Sequence, residues 1–217
     1  MNGSQRVAII LGAIAFGGIS ASAAPPESIS GLALGSSIQE VKAKYGSKIK
    51  RSTRWKEDIA ESKCGMDKYE IDIPEFNDEY VRFFNGKLFA IEMSMNTSLS
   101  ISEMYALARR FIAKYGPPTS ILCVYSNEPA IETHSINECE FKPSISLSYE
   151  SGSEKSEERH EFWISIYSDA ENLTKRRGYE ITLQKGRRYY NNAIEPCRKK
   201  ALLAIDEEKA GKITLPD

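Results

Sequence analysis

The sequence predicts an α+β fold: helices packed on antiparallel β-sheet, with a C-terminal helix. Three observations carry this. Two segments, after Ser37 and after Ser100, open with the same cap chemistry and continue at helical spacing. Asn85-Gly86 stands between two apolar runs, the strongest short-range hairpin signal. From Ser144 to Tyr149, serines alternate with Ile145, Leu147 and Tyr149, as a strand with one solvated face requires.

Residues 24–30 (APPESIS) form an extended lead-in, because two prolines restrict the backbone there. Ser37 and Glu40 make a capping box, so a helix starts there and runs to about Tyr45, where Gly46 stops it. Ile38, Val41 and Tyr45 share its inner face. Strands follow at Tyr69–Ile73, Tyr80–Phe84 and Lys87–Met95. The last of these mixes faces between Leu88 and Glu92, so its register is less defined than its hairpin. Ser100 and Glu103 repeat the capping box. Met104, Leu107, Ala108, Phe111, Ile112 and Tyr115 then line one helix face up to Gly116. Both helices end in Ala-Lys-Tyr-Gly, at 43–46 and at 113–116, which marks a candidate repeat with units 31–97 and 98–184. Strands are expected at Ser120–Tyr125, Ser144–Tyr149, Phe162–Tyr167 and Tyr179–Gln184. The polar stretch Glu150–Glu161 reads as a mobile hairpin loop, and His160 within it as exposed. A C-terminal helical segment occupies 185–217, its helix beginning after Pro196, with Leu202 and Ile205 inward and Gly211 ending it.

Residues 1–23 read as a signal peptide. Arg6 precedes the apolar run Val7–Ile19, and Ala21-Ser22-Ala23 is an A-x-A cleavage site. Such a run is only about 20 Å long as a helix, short of a bilayer core of about 30 Å. The mature chain is therefore expected from Ala24 to Asp217, periplasmic or secreted, with no transmembrane segment. Cys64, Cys123, Cys139 and Cys197 all fall in it, and in an oxidising compartment an even count suggests two disulfides. Three connectivities are open. Cys123–Cys139 is favoured because both flank one short loop, which leaves Cys64–Cys197.

The 217 residues carry 29 Lys+Arg against 30 Asp+Glu, so a general nucleic-acid binder is disfavoured. Charge is uneven along the chain, however. Nine Glu against three basic residues lie between 127 and 161. Nine Lys/Arg against two Glu lie between 175 and 200. The two stretches either face each other or mark an anionic partner, such as a lipid headgroup, a glycan or an acidic protein. Candidate contacts are Trp55, in a charged stretch between Arg54 and Lys56, and Arg187, Arg188, Tyr189 and Tyr190. Trp163 and Tyr167 join them if they are not core. No metal-ligand spacing, nucleophile elbow, phosphate loop or dinucleotide fingerprint occurs, so no catalytic residue and no cofactor is assigned.

The phrase Gly31-Leu-Ala-Leu-Gly35, followed by the capped helix to Gly46, resembles small exported modules of the BamE (SmpA/OmlA) type and β-lactamase-inhibitor-protein-like repeats. That resemblance implies a binding or assembly module. The expected function is thus a non-catalytic exported binding protein of inhibitor, immunity or envelope-assembly kind, with another envelope or secreted protein as partner. A secreted hydrolase using paired carboxylates and a carrier of a small apolar ligand are the alternatives. An open sheet face favours the first, a deep polar cleft the second, a closed apolar cavity the third.

Overall fold

The structure, a computed structural model, describes residues 24–74, 76–124, 129–139, 142–169 and 178–210. The leader 1–23, Tyr125, the cluster Lys175-Arg176-Arg177 and the segment from Gly211 onward lie outside the described residues. The α+β fold is present. A small hairpin comes first, β1 (Ser28–Ile29) paired with β2 (Leu32–Ala33). The capped helix α1 (Ile38–Tyr45) then leads into an antiparallel meander of β3 (Ile49–Arg51), β4 (Met66–Ile71), β5 (Asp78–Phe84) and β6 (Lys87–Met95). After α3 (Ile101–Tyr115), the parts repeat in order. Strands β7 (Ser120–Val124), β9 (Ser144–Ser151), β10 (His160–Tyr167) and β11 (Gly178–Lys185) form a second meander. Each half inserts something after its first strand. The first inserts α2 (Lys56–Ser62); the second inserts β8 (Ile131–Thr133) and a 3-10 turn (Ile136–Cys139). Strands β6 and β11 pair at the centre, giving one sheet of order β3-β4-β5-β6-β11-β10-β9-β7-β8.

Both capping boxes form: Ser37 accepts from the Glu40 amide, and Ser100 from that of Glu103, while each glutamate reaches back to its serine's amide. The two helices bury Val41, Met104, Tyr105 and Ala108 on one face of the sheet. That face carries the alternate apolar positions of both meanders, among them Val81, Ile91, Ile145, Leu147, Phe162, Ile164 and Leu183. Each such side chain contributes about 1.5–3 kcal/mol by leaving water, so this face dominates stability. The opposite face is covered only in part. Helix α4 (Arg187–Ala210) seats Ile194 on Met66, Phe89 and Ala90, with Phe84, Cys64 and Tyr190 around them.

Asn85 and Gly86 both have positive φ, as the tight turn between β5 and β6 requires. The mixed phase of β6 has a physical cause. A bulge shifts the register between Arg82 and Phe83: Leu88 pairs with Phe83 and Ala90 with Arg82. Phe89 is the extra residue, and it joins Ala90 under α4 while Leu88 and Ile91 keep the opposite face.

Two expectations are corrected. The C-terminal helix does not start after Pro196: it starts at Arg187 and encloses Pro196. Tyr190, Ile194, Cys197, Ala201 and Ile205 recur at steps of three and four, and this continuous stripe outweighs one hydrogen bond lost at an exposed proline. The charged stretch Lys50–Lys63 holds the end of β3 and all of α2, with Ala60 and Asp58 buried and Asp58 accepting from Ser52 Oγ at 2.8 Å. His160 is only 6% exposed. The lead-in 24–30 runs into the β1–β2 hairpin. Both favoured disulfides form, Cys64–Cys197 and Cys123–Cys139. Among the described residues, no helix is long and apolar enough to cross a membrane.

Candidate functional site: the open half of the sheet

Helices α2 and α4 cover β4, β5 and the start of β6 on their side of the sheet. On the same side, among the described residues, the outward positions of β9, the rest of β6 and most of β10 and β11 carry no helix; only their Glu161 and Gln184 end lies beside the first turns of α4. Strand alternation sends Ser146 and Ser148 (β9), Glu161, Trp163, Ser165 and Tyr167 (β10), Glu180, Thr182 and Gln184 (β11), and Glu92 and Ser94 (β6) to this face. Their side chains are tied to one another. Trp163 Nε1 donates to Ser148 Oγ at 2.9 Å, which in turn donates to Glu150 at 2.9 Å. Ser146 and Ser165 share a hydrogen bond of 2.9 Å, and Tyr167 donates to Glu180 at 3.3 Å. Arg82 pairs with Glu92 at 3.3 Å, and Lys68 stands 4.0 Å over the Tyr80 ring. Cross-strand partners of this kind hold the floor in one arrangement before anything binds.

Two depressions lie where this floor meets the helical wall. One, of about 460 Å³, lies over β5, β6 and β11 and is lined by Tyr80, Glu92, Ser94, Glu180 and Thr182, with Arg54 at its side. The other, of about 380 Å³, lies under the start of α4 and is lined by Glu161, Trp163, Gln184, Arg187, Asn191 and Asn192. Both are open and polar.

The acidic and basic stretches of the sequence face each other. The loop between β9 and β10 pairs with the turn into α4: Glu154 with Arg188, Glu158 with Lys185 at 2.6 Å, and Glu157 with the Tyr190 hydroxyl at 2.7 Å. Arg159 bridges Glu150 and Glu161, and Glu161 accepts from Gln184 Nε2 at 2.6 Å. Gly186 makes this approach feasible, since at φ +65° a Cβ there would meet the Glu157 carbonyl at 2.7 Å. The hydrogen bond that Lys185 donates to the Glu158 carboxylate holds its ammonium above its usual pKa. Burial, helped by Glu157, pushes the Tyr190 phenol well above the ordinary tyrosine range.

The sequence-selected residues divide accordingly. Arg187 and Arg188 stand at the mouth of the α4 depression. Trp55 is 55% exposed, with Arg54 stacked at 5.3 Å from its ring, so it flanks the other depression. Tyr190 is a packing residue, against Phe84 at 4.6 Å and Phe89 at 5.1 Å. Tyr189 is exposed and edges onto Tyr190. Trp163 and Tyr167 are half-buried on the open floor. Sequence reasoning passed over Arg54, Tyr80, Glu161, Gln184, Asn191 and Asn192. The period-two polar set of β10 pointed to Glu161, but nothing local joined it to Gln184 and Arg187. No family model, no characterised protein and no solved structure matches the chain.

Proposed function

We propose that this is a non-catalytic exported protein that binds another envelope or secreted protein through the open half of its sheet. The observation that carries this is a floor with half-buried aromatic residues whose polar groups are mutually hydrogen-bonded, beside a helical wall that is rigidly attached. Such a surface loses little entropy on docking, and aromatic and arginine side chains are the usual anchors of protein interfaces. Two disulfides suit an oxidising compartment, in keeping with a cleaved leader and a periplasmic or secreted location. The resemblance to BamE-type and inhibitor-like modules points the same way.

The test is capture from envelope extract by the oxidised chain 24–217, with and without Trp163→Ala. A stoichiometric protein retained by the parent and lost with Trp163→Ala is the expected result. A partner that binds the variant equally overturns the use of this face, and no retained protein overturns the function. One observation favours the hydrolase instead. Thr182 lies opposite Glu92 and Glu180 opposite Ser94, so the two glutamates are diagonal neighbours in one depression, roughly 7 Å apart by sheet geometry. Glu92 is ion-paired with Arg82, however, so one of the two carboxylates already has a partner. Hydrolysis of a glycan panel abolished by Glu180→Gln would establish that reading.

A further inference from the structure

We infer that the partner presents carboxylate side chains, and that Arg187 and Arg54 receive them. This rests on the proposed binding function and specifies its partner's chemistry. The carboxylates of the open face are already committed: Glu92 to Arg82, Glu161 to Arg159 and Gln184, Glu180 to Tyr167. So are the neighbouring cations Arg188, Lys185 and Arg159. Arg187 and Arg54 differ. Among the described residues, neither has a carboxylate partner. Arg187 spends one donor on Gln184 Oε1 at 3.1 Å. Gln184 is 1% exposed, and Glu161 fixes its amide orientation, so its oxygen is aimed at Arg187 and holds that guanidinium at the mouth of the depression. The remaining donors form a planar fork beside Trp163, Asn191 and Asn192. Arg54 rides on Trp55 at the other depression.

The chemistry selects among anions. Arg188 shares the mouth with Arg187 but is held by Glu154, so among the described residues each depression offers one guanidinium without a carboxylate, beside a floor that carries Glu161, Glu92 and Glu180. A phosphate-bearing membrane or a sulfated glycan would bring dense negative charge against those glutamates. An isolated, planar, singly charged group meets one fork bidentately and leaves the floor undisturbed. Aspartate and glutamate side chains are such groups. The two depressions rest on Gln184 and on Thr182 and Glu180 of the same strand, two to four residues apart, roughly 7 to 13 Å. An extended segment places acidic residues at that distance when they are two or four positions apart.

The experiment selects a displayed library of random peptides on the oxidised chain 24–217. Binding of the selected peptides is then read by tryptophan fluorescence. Trp55→Phe leaves Trp163 to report on the Arg187 depression, and Trp163→Phe leaves Trp55 to report on Arg54. The expected result is enrichment of Asp or Glu pairs at those spacings. Replacing Asp by Asn in the peptide, or Arg187→Gln in the protein, should each weaken binding about tenfold or more. Arg187→Lys should recover only part of this, because it keeps the charge and loses the fork. Neutral selected peptides, indifference to Asp→Asn, absence of any binder, or tighter binding to anionic-lipid vesicles or heparin would each overturn the inference. If a captured protein partner is lost with Trp163→Ala yet kept by Arg187→Gln and Arg54→Gln, the inference fails and the binding function stands.

Discussion

The two halves of the chain run through the same parts and differ in where each sends its insertion. The first half's insertion, α2, crosses to the side of the sheet away from α1 and α3. There Cys64 ties it to Cys197 of α4, and Lys56 reaches Asp206 at 3.1 Å, so α2 and α4 lie antiparallel and cover their own meander. The second half's insertion folds back on its own first strand through Cys123–Cys139 and adds Ile131 and Ile136 to the main core. Among the described residues, it covers nothing on the far side. The open floor is therefore the part of the second meander that its own insertion does not reach. Its wall is borrowed from the first half's insertion and the C-terminal helix.

The largest effect should come from cutting the bond that makes the halves unlike. Cys64–Cys197 spans 133 residues and Cys123–Cys139 spans 16. By the loop-entropy relation these stabilise by about 5 and about 3 kcal/mol. The double Cys→Ala variants should show that order in urea unfolding. The asymmetry goes further, because losing the first bond frees the wall and should abolish partner binding, whereas losing the second should leave binding intact in the folded fraction. Equal effects on binding would break the comparison. Ile194→Ala tests the seam between wall and sheet. Ile194 is 4% exposed against Met66, Phe89 and Ala90, and its loss should cost about 3 kcal/mol by cavity formation.

The cap serines sharpen the likeness rather than the difference. Ser37→Ala and Ser100→Ala each remove a side-chain acceptor from a complete capping box and should each cost about 1 kcal/mol, measured under identical conditions. These caps also explain how much was legible in the sequence. A capping box, an Asn-Gly turn and the alternation of Ser144–Tyr149 depend on residues within a few positions, so α1, α3, the β5–β6 hairpin and β9 could be read directly. The disulfide pairing followed from one short loop. The pairing of β6 with β11, across some ninety residues, has no local signal, and without it the floor cannot be assembled. Pro196 misled because its local meaning, a helix start, yields to a stripe that only matters once Phe89 and Met66 are beneath it. Trp55 and Arg187 were visible as charged or exposed positions. That Arg188 is neutralised by Glu154 while Arg187 is not depends on Gly186 and the loop above it.

The smallest effect concerns His160, at the junction of the acidic loop and the lead-in to β1. It is buried, with Nδ1 3.7 Å from a Glu27 carboxylate oxygen and with Lys185 nearby. Burial lowers its pKa below the ordinary 6.5, and Glu27 offsets this only in part. The native state therefore favours the neutral ring. Above pH 6.5 the ring is neutral in both states and its contribution is full. As the pH falls below 6.5 the unfolded chain takes up the proton first, so stability declines until the native ring is protonated as well. A single proton limits the slope to about 1.4 kcal/mol per pH unit. His160→Gln should flatten this part of the stability profile between pH 7 and pH 5, as followed by urea unfolding. Glu27→Gln should steepen it, because removing the carboxylate takes away the one charge that favours the protonated ring. A Glu27→Gln profile that is flatter than the parent would mean that the lead-in, not the burial, sets the histidine's charge. The acidic loop would then be anchored to the N-terminal segment as firmly as it is to α4.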